Sequence, residues 1–434
     1  MFEDQAVSGE LMNGVLRCDC YEYPVVSGIA VLRQMSPVFS TRNVAVDHIR
    51  NHDPNGALLW LLLNGSADGV PPLDKMHTRA GIHFKKQISD LFLRQSLQKF
   101  VNSIPSGGGF ETALYAGRPR GYADYLFHRF ANPSLLGAIP PLAILSDECC
   151  HKKHGRVLDL LCGVGHTSAI MNSICPELEV MECDSDFVNL YLLHNFIAPH
   201  TPALCMDAEL NLPLADSSVD GLFCLDGIHY IRSKVNLLHE VERVINKDGI
   251  WLFAHMHNLE SSNKNPGVPL SAEDYAKRFA FGQQRLLSEV EIIKQFRENG
   301  YLDLRKQPDI WDIASSPALT LIGTRNGSLW KRHLGIEEIL CRFPEMLYFN
   351  PLYRIEKAAD GLDLIAEWPS DTLRQECNQY FPVLPERFAI PSRVVEELNA
   401  LNVDGVTSSN IRDLLRSFIL VNLPSCYSRQ KFLN

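Results

Sequence analysis

Four acids stand where a short apolar run gives way to a turn: Asp159, Asp184, Asp207 and Asp226. The first opens the segment Asp159-Leu160-Leu161-Cys162-Gly163-Val164-Gly165-His166. There a strand ends in an acid and a glycine-rich turn starts a helix. Glycines let the chain bend sharply and let a ligand lie against the backbone. A nucleoside that carries an amino acid brings no pyrophosphate. The turn formed by Leu160, Cys162, Gly163 and Gly165 would then meet the amino-acid and ribose parts, and Asp159 would hold an ammonium directly or through water. Asp184 follows about twenty residues beyond the turn, where an acid can take both ribose hydroxyls. Glu182 is the weaker choice, because alternation is expected to point it away from the strand tip. Asp207-Ala208 follows the third run, placed to accept a hydrogen bond from an adenine amino group. Asp226 ends the fourth run, at the mouth where a reacting group would sit. Loop acids also cap helices, but four at successive strand ends, in register with a glycine turn, favour a ligand.

Histidine titrates near neutral pH and suits proton transfer. His229 follows the fourth run, and His255 and His257 end the fifth, so all three are candidate bases. Each is weighed against a purely structural histidine. A metal at His255-x-His257 is not expected, because no carboxylate or cysteine lies at close spacing. Tyr125 and His128, on a helix before these runs, are candidates for a lid.

The elements that must position these groups are legible from periodicity. Residues 150–325 alternate apolar strands with helices, which implies a parallel sheet covered on both faces. Strands are predicted at 156–160, 179–183, 203–206, 221–225, 250–254, 301–304 and 318–323, with helices at 235–245 and 289–299. Residues 36–149 read as mainly helical. One apolar face runs through Phe84, Ile88, Leu91, Phe92, Leu97, Phe100, Val101 and Ile104, ahead of a Ser106-Gly107-Gly108-Gly109 break. Ala57 to Leu63 reads as a buried helix behind the turn Asp53-Pro54-Asn55-Gly56. Residues 326–434 read as a hairpin at 353–368, helices at 392–401 and 409–417, and a strand at 418–423.

The acid-and-glycine segment resembles the class I S-adenosylmethionine-dependent methyltransferases, in the branch holding quinone-biosynthesis and many small-molecule enzymes. Asp207-Ala208-Glu209-Leu210-Asn211-Leu212-Pro213-Leu214 is similar to that branch's Asp-Ala-Glu, Leu-Pro-Phe stretch. Asp220, Ile228-His229-Tyr230, and Leu237 to Gly249 with Glu240 and Arg243 match further motifs. The family's first turn glycine is Leu161 here. The resemblance implies a Rossmann-like seven-stranded α/β sheet, S-adenosylmethionine as cofactor and S-adenosylhomocysteine as product. It also implies methyl transfer to an O, N or C atom of a small metabolite. Residues 1–35 resemble half of a zinc ribbon, with Cys18 and Cys20 followed by Tyr23-Pro24-Val25 and Gly28-Ile29. A tetrahedral zinc site needs four ligands, and one pair spaced by one residue supplies two, so a metal-free hairpin is expected. Residues 326–434 suggest an α+β accessory domain of winged-helix-like build.

Composition bounds the partners. The 434 residues are 46% hydrophobic and 21% charged, with a net charge of −10, enough apolar content for ordinary cores. Phosphate neutralisation needs Lys and Arg, so nucleic acid is not expected. The longest apolar run falls far short of the roughly 20 residues that span a bilayer, and the start has no secretory pattern. A cytoplasmic protein is therefore expected, with its 12 cysteines as reduced core thiols. The alternatives are a peptide or protein acceptor docked on the C-terminal region, and a non-catalytic nucleoside-binding scaffold. The terminal regions are read as building an acceptor pocket or a homodimer interface.

Overall fold

The computed structural model describes residues 2–7, 10–33, 41–65, 98, 100–101, 109–152, 155–199, 201–261, 267–342, 347–371, 373–375, 384–400, 408–424 and 426–427. The helical face predicted from Phe84 through Leu97, together with Ile104 and Ser106-Gly107-Gly108, lies outside these residues.

Strands β1 (Phe2–Val7), β2 (Glu10–Arg17), β3 (Glu22–Val26), β4 (Ile29–Val31), β5 (Arg156–Leu160), β6 (Glu179–Asp184), β7 (Ala203–Cys205), β8 (Val219–Leu225), β9 (Ile245–His257), β10 (Gln283–Ser288), β11 (Leu302–Asp303) and β12 (Ala318–Thr324) follow one another in the chain. All but β11 form one sheet in the order β1-β2-β3-β4-β7-β6-β5-β8-β9-β12-β10. Neighbours from β4 through β9 are parallel, and β12 and β10 close the far edge antiparallel. Side chains alternate between two cores. Val157 and Val180 join the core that contains the helix His166–Ile174, whereas Leu158, Leu160, Trp251 and Phe253 join the other. Burial of both faces is why these strands read as nearly unbroken apolar runs.

The sheet departs from the seven-stranded expectation in two ways. The strand predicted at 301–304 is cut to β11, which pairs with β13 (Arg332–His333) outside the main sheet. Its expected place is taken by β10, whose first half, Gln283-Gln284-Arg285, is exposed or half-buried. An edge strand covered on one side needs no apolar run, so periodicity passed over it. At the other edge, β1 to β4 add four strands. β2 and β3 form the expected hairpin, and Cys18 and Cys20 are exposed in the turn between them. Among the described residues, no group of three or more metal-ligating side chains includes them.

The buried helix of the N-terminal region spans Pro54–Asn64, capped by Asp53, whose carboxylate accepts from Gly56 N at 2.8 Å. The helix Arg120–Arg129 leads through a turn at Pro133–Gly137, capped by Asn132, into the helix Ile139–Cys150. The reduced-thiol expectation fails at one pair. Cys150 ends that helix, Cys175 follows the helix His166–Ile174, and the two form a disulfide. Packing of these helices brings together two cysteines that sequence spacing gave no reason to pair. In the C-terminal region β14 (Leu347–Phe349) pairs with β18 (Leu420–Asn422), while β15 (Tyr353–Ala358) and β16 (Gly361–Ala366) form the expected hairpin. β17 (Arg387–Ile390) extends that hairpin to three strands. The helices Ser392–Asn399 and Ser409–Arg416 pack beside it.

Candidate functional site

Strand order reverses between β5 and β8, and in open parallel sheets ligands bind beyond the carboxyl ends at such a point. Asp159, Asp184, Asp207 and Asp226 all lie at those ends. Asp159 is level with Glu182 on β6 and Phe223 on β8. It is buried under the helix His166–Ile174, where Oδ2 accepts from the Thr167 and Ser168 hydroxyls, the latter at 3.2 Å. Its other oxygen, Oδ1, is buried and has no hydrogen-bond partner. Burial, with Asp184 nearby, pushes the Asp159 carboxyl up to about 7 against the pull of the two hydroxyls.

Asp184 braces the glycine turn. Its carboxylate accepts from Gly163 N at 2.9 Å and from Asp186 N at 2.8 Å. Burial and Asp186 raise it to about 6. The expectation for Glu182 needs correction. Two residues before Asp184, it shares that residue's face rather than opposing it, and it is fully buried level with Asp159. Burial and then Asp159 push its pKa well above the ordinary value. Asp207 is half-buried and accepts from Glu209 N at 2.9 Å, with buried Ala208 between them. Arg243 clamps the chain beyond it, donating to the Leu212 and Leu214 carbonyls and pairing with Glu240 and Asp216.

The two turn glycines serve different ends. Gly165, at φ +87°, starts the helix, and a Cβ there would meet Leu193 at 2.9 Å and Ile197 at 3.1 Å. Gly163, at φ +58°, would meet nothing within 4 Å, so open space lies against the loop on that side. Leu161, in the family's glycine position, holds φ +62°, a left-handed conformation that disfavours a Cβ.

Asp226 stands apart from the other three acids. It also holds a left-handed φ of +55°. Oδ2 accepts from Arg129 Nη2 at 3.0 Å and Tyr125 OH at 3.2 Å, both on the helix Arg120–Arg129. Oδ1 faces His257 Nε2 at 3.3 Å and His229 Nε2 at 3.9 Å. Burial opposes its charge, but Arg129, His255 and His257 outweigh burial and hold Asp226 far below the ordinary carboxylate range. The His229 and His257 rings stack with centroids 3.8 Å apart. Burial and His257 push His229 down to about 3. His255 turns elsewhere: Nδ1 lies 2.8 Å from Glu289 Oε2, and Glu289 also accepts from His255 N and Thr320. Burial disfavours its charge, but Glu289 and Asp226 outweigh burial and raise its pKa.

The helix Arg120–Arg129 crosses the strand ends. Just before it, Arg118 pairs with Asp186 past the end of β6, and at its own end Arg129 pairs with Asp226 past β8. Tyr125 is thus at the site, while His128 is buried beside Phe127. Arg129, Glu289, Thr167 and Ser168 escaped the sequence reading. For Thr167 and Ser168 a signal existed, since two hydroxyls open the helix that follows the acid. Arg129 and Glu289 lie far along the chain from the acids they serve and carry no local signature.

Residues 158–253 match a family model described as a methyltransferase domain. This stretch of the chain carries a methyltransferase domain. The matched stretch holds the four strand-end acids and His229, whereas Arg129, His255, His257 and Glu289 lie outside it. No curated relative matches. Solved structures similar to this chain include an S-adenosylmethionine-dependent methyltransferase from Thermotoga maritima, at 17% identity over 46% of this chain and 93% of that one, TM-score 0.29. Another is the geranyl diphosphate C-methyltransferase of Streptomyces coelicolor, at 11% identity over 43% and 75%, TM-score 0.32. A third, from Aquifex aeolicus, is 17% identical over 38% and 89%, TM-score 0.30. Among the described residues, no helix is long and apolar enough to cross a membrane.

Proposed function

We propose that the chain is an S-adenosylmethionine-dependent methyltransferase that acts on an O, N or C atom of a small metabolite, which reaches the buried cluster of Asp226, His229 and His257. The observation that carries the acceptor size is burial. His229 and His257 are 0% and 4% exposed, and Arg129 and Tyr125 roof Asp226, which suits a small molecule better than a peptide chain.

The residues at the strand ends fit the donor. Asp159 presents an unpartnered buried oxygen that would hold its ammonium, Gly163 leaves room against the loop, Asp184 would take the ribose hydroxyls, and Asp207 the adenine amino group. S-adenosylmethionine supplies a methyl group already activated on a sulfonium. The chain's own work is then alignment, exclusion of water and management of the acceptor proton. Alignment of two reactants can account for several kcal/mol, up to about 7–11, and a positioned base contributes about 100- to 10,000-fold. The cluster before Asp226 manages the proton. His257 is oriented by Asp226, and His229 lines the same wall. His255, held by Glu289, orients the end of β9 and takes no proton itself. The helix Arg120–Arg129 acts as the lid.

Calorimetry with S-adenosylhomocysteine on the full chain and on Asp184→Ala tests the donor assignment. Affinity should fall at least tenfold, and an unchanged affinity removes Asp184 from the ribose site. Turnover screened over small hydroxyl, amine and activated-carbon acceptors, beside peptide pools, tests the acceptor class. Activity confined to the peptides refutes the small-metabolite reading.

A further inference from the structure

His229 is wholly buried, yet neither ring nitrogen has a hydrogen-bond partner. Leaving a buried polar group unpaired costs about 1–3 kcal/mol, and such exceptions call for an explanation, an ion among them. The surroundings of His229 supply one. One ring nitrogen of His229, one of His257 and an Asp226 carboxylate oxygen lie within 4.8 Å of one another. Asp226 Oδ1 is 3.3 Å from His257 Nε2 and 3.9 Å from His229 Nε2. Ligands about 2.1 Å from a zinc ion at tetrahedral angles stand about 3.4 Å apart, so the His257 separation matches a shared ion and His229 need only close in by about half an ångström.

We propose that Asp226, His229 and His257 hold one divalent first-row transition ion, such as zinc, in this buried cluster. Two imidazoles and one carboxylate suit such an ion and leave a coordination position open for a further ligand. The division of labour on Asp226 supports this. Oδ2 is fixed by Arg129 and Tyr125, the outer contacts that orient a ligating carboxylate, while Oδ1 is turned to the two imidazoles. The stacked rings, 9° from parallel, must rotate apart for both Nε2 lone pairs to converge on the ion, and Asp226 holds the left-handed backbone that brings its carboxylate to them. The three ligands come from the turn after β8, the short helical turn Ile228–Tyr230 and the end of β9, which is why sequence spacing offered no third ligand for His257.

Whether the ion binds does not depend on the methyl-transfer reading, but its task does. An acceptor hydroxyl bound at the open position would be acidified and would give up its proton to solvent as it enters, before water is excluded. The acceptor oxygen then bonds to the methyl carbon as the carbon–sulfur bond breaks and its electron pair returns to sulfur, leaving the neutral thioether S-adenosylhomocysteine.

The test is titration of metal-stripped full-length protein with zinc(II) by calorimetry, in a Cys18→Ser/Cys20→Ser background that removes the exposed thiols. Binding of one ion per chain is expected, with affinity reduced at least tenfold in both His229→Ala and His257→Ala. S-adenosylhomocysteine affinity, measured on the same samples, reports whether each variant is folded and tests the donor site separately. Absence of zinc binding in the background protein, or full binding in both folded variants, overturns the proposal. If the variants do not fold, cobalt(II) absorption of the unmutated site decides. A spectrum of a low-coordinate nitrogen–oxygen site supports the assignment, and a thiolate charge-transfer band or an octahedral aqua-like spectrum overturns it.

Discussion

Arg129 reaches across 97 positions of sequence to place Nη2 3.0 Å from Asp226 Oδ2. The guanidinium is 5% exposed and the carboxylate 18%, so water does little to replace either partner. Removing one member of a buried pair costs about 3–5 kcal/mol because the other charge stays behind. Arg129→Met should therefore lower unfolding stability by about 3 kcal/mol, read by denaturant titration. Misplacement of the acceptor wall should cut turnover by about 100-fold. Turnover equal to the parent's would show that the Arg129 contact does not position the cluster.

The raised carboxyls set a pH dependence for donor binding. Asp159, at about 7, must lose its proton to attract an ammonium, and Asp184, at about 6, changes in the same direction. Affinity for S-adenosylhomocysteine should rise with pH and level off above about 7. Stability runs the other way: the folded chain keeps protons that the unfolded chain releases near pH 3.8, so the free protein should lose stability as pH climbs from about 4 to about 7. Asp159→Asn should flatten the rise in affinity at a lower level. A profile in that variant parallel to the parent's would remove Asp159 as its source.

The two turn glycines should separate stability from binding. Gly165→Ala drives a methyl into Leu193 and Ile197 and is expected to destabilise the fold by about 1–3 kcal/mol. Gly163→Ala meets open space. It should cost about 1–2 kcal/mol through its backbone conformation, yet weaken S-adenosylhomocysteine binding at least tenfold in calorimetry. Equal loss of binding at matched stability in both variants would contradict this division.

Leu161 and Gly227 fit each other. A Cβ at Gly227 would stand 2.7 Å from Leu161 Cδ1, so Gly227→Ala should destabilise by about 1–3 kcal/mol. Leu161→Gly removes both the clashing side chain and the left-handed penalty. The double variant should be more stable than the sum of the single changes by at least about 0.5 kcal/mol. Strict additivity in denaturant titrations would rule out the contact as the cause.

What could be read in advance follows how local each signal is. The acid–glycine turn after β5 and the acids after β6, β7 and β8 lie within or beside the apolar runs that carry them, so their place at the strand ends was legible. Edge strand β10 was not, because half of its residues face outward and carry no periodic mark. The Glu182 error came from extending alternation past a strand end without counting parity. His255 and His257 looked alike in sequence. Strand alternation would put both on one face, but His255 holds φ +54° beside a register shift between β9 and β12, and so one turns toward Glu289 and the other toward Asp226. The Cys150–Cys175 disulfide likewise depends on how two helices lie, which neither cysteine encodes alone.

β7 is three residues long and carries the chain to Asp207. On its outer side lies β4, paired to it in parallel from Ile29 to Val31. That neighbour changes the character of β7: a strand that would otherwise present a free row of amides and carbonyls is an interior one. The end of the crevice nearest Asp207 is therefore walled by backbone from the first thirty-odd residues. A protein lacking them would bare a short edge open to any strand that met it.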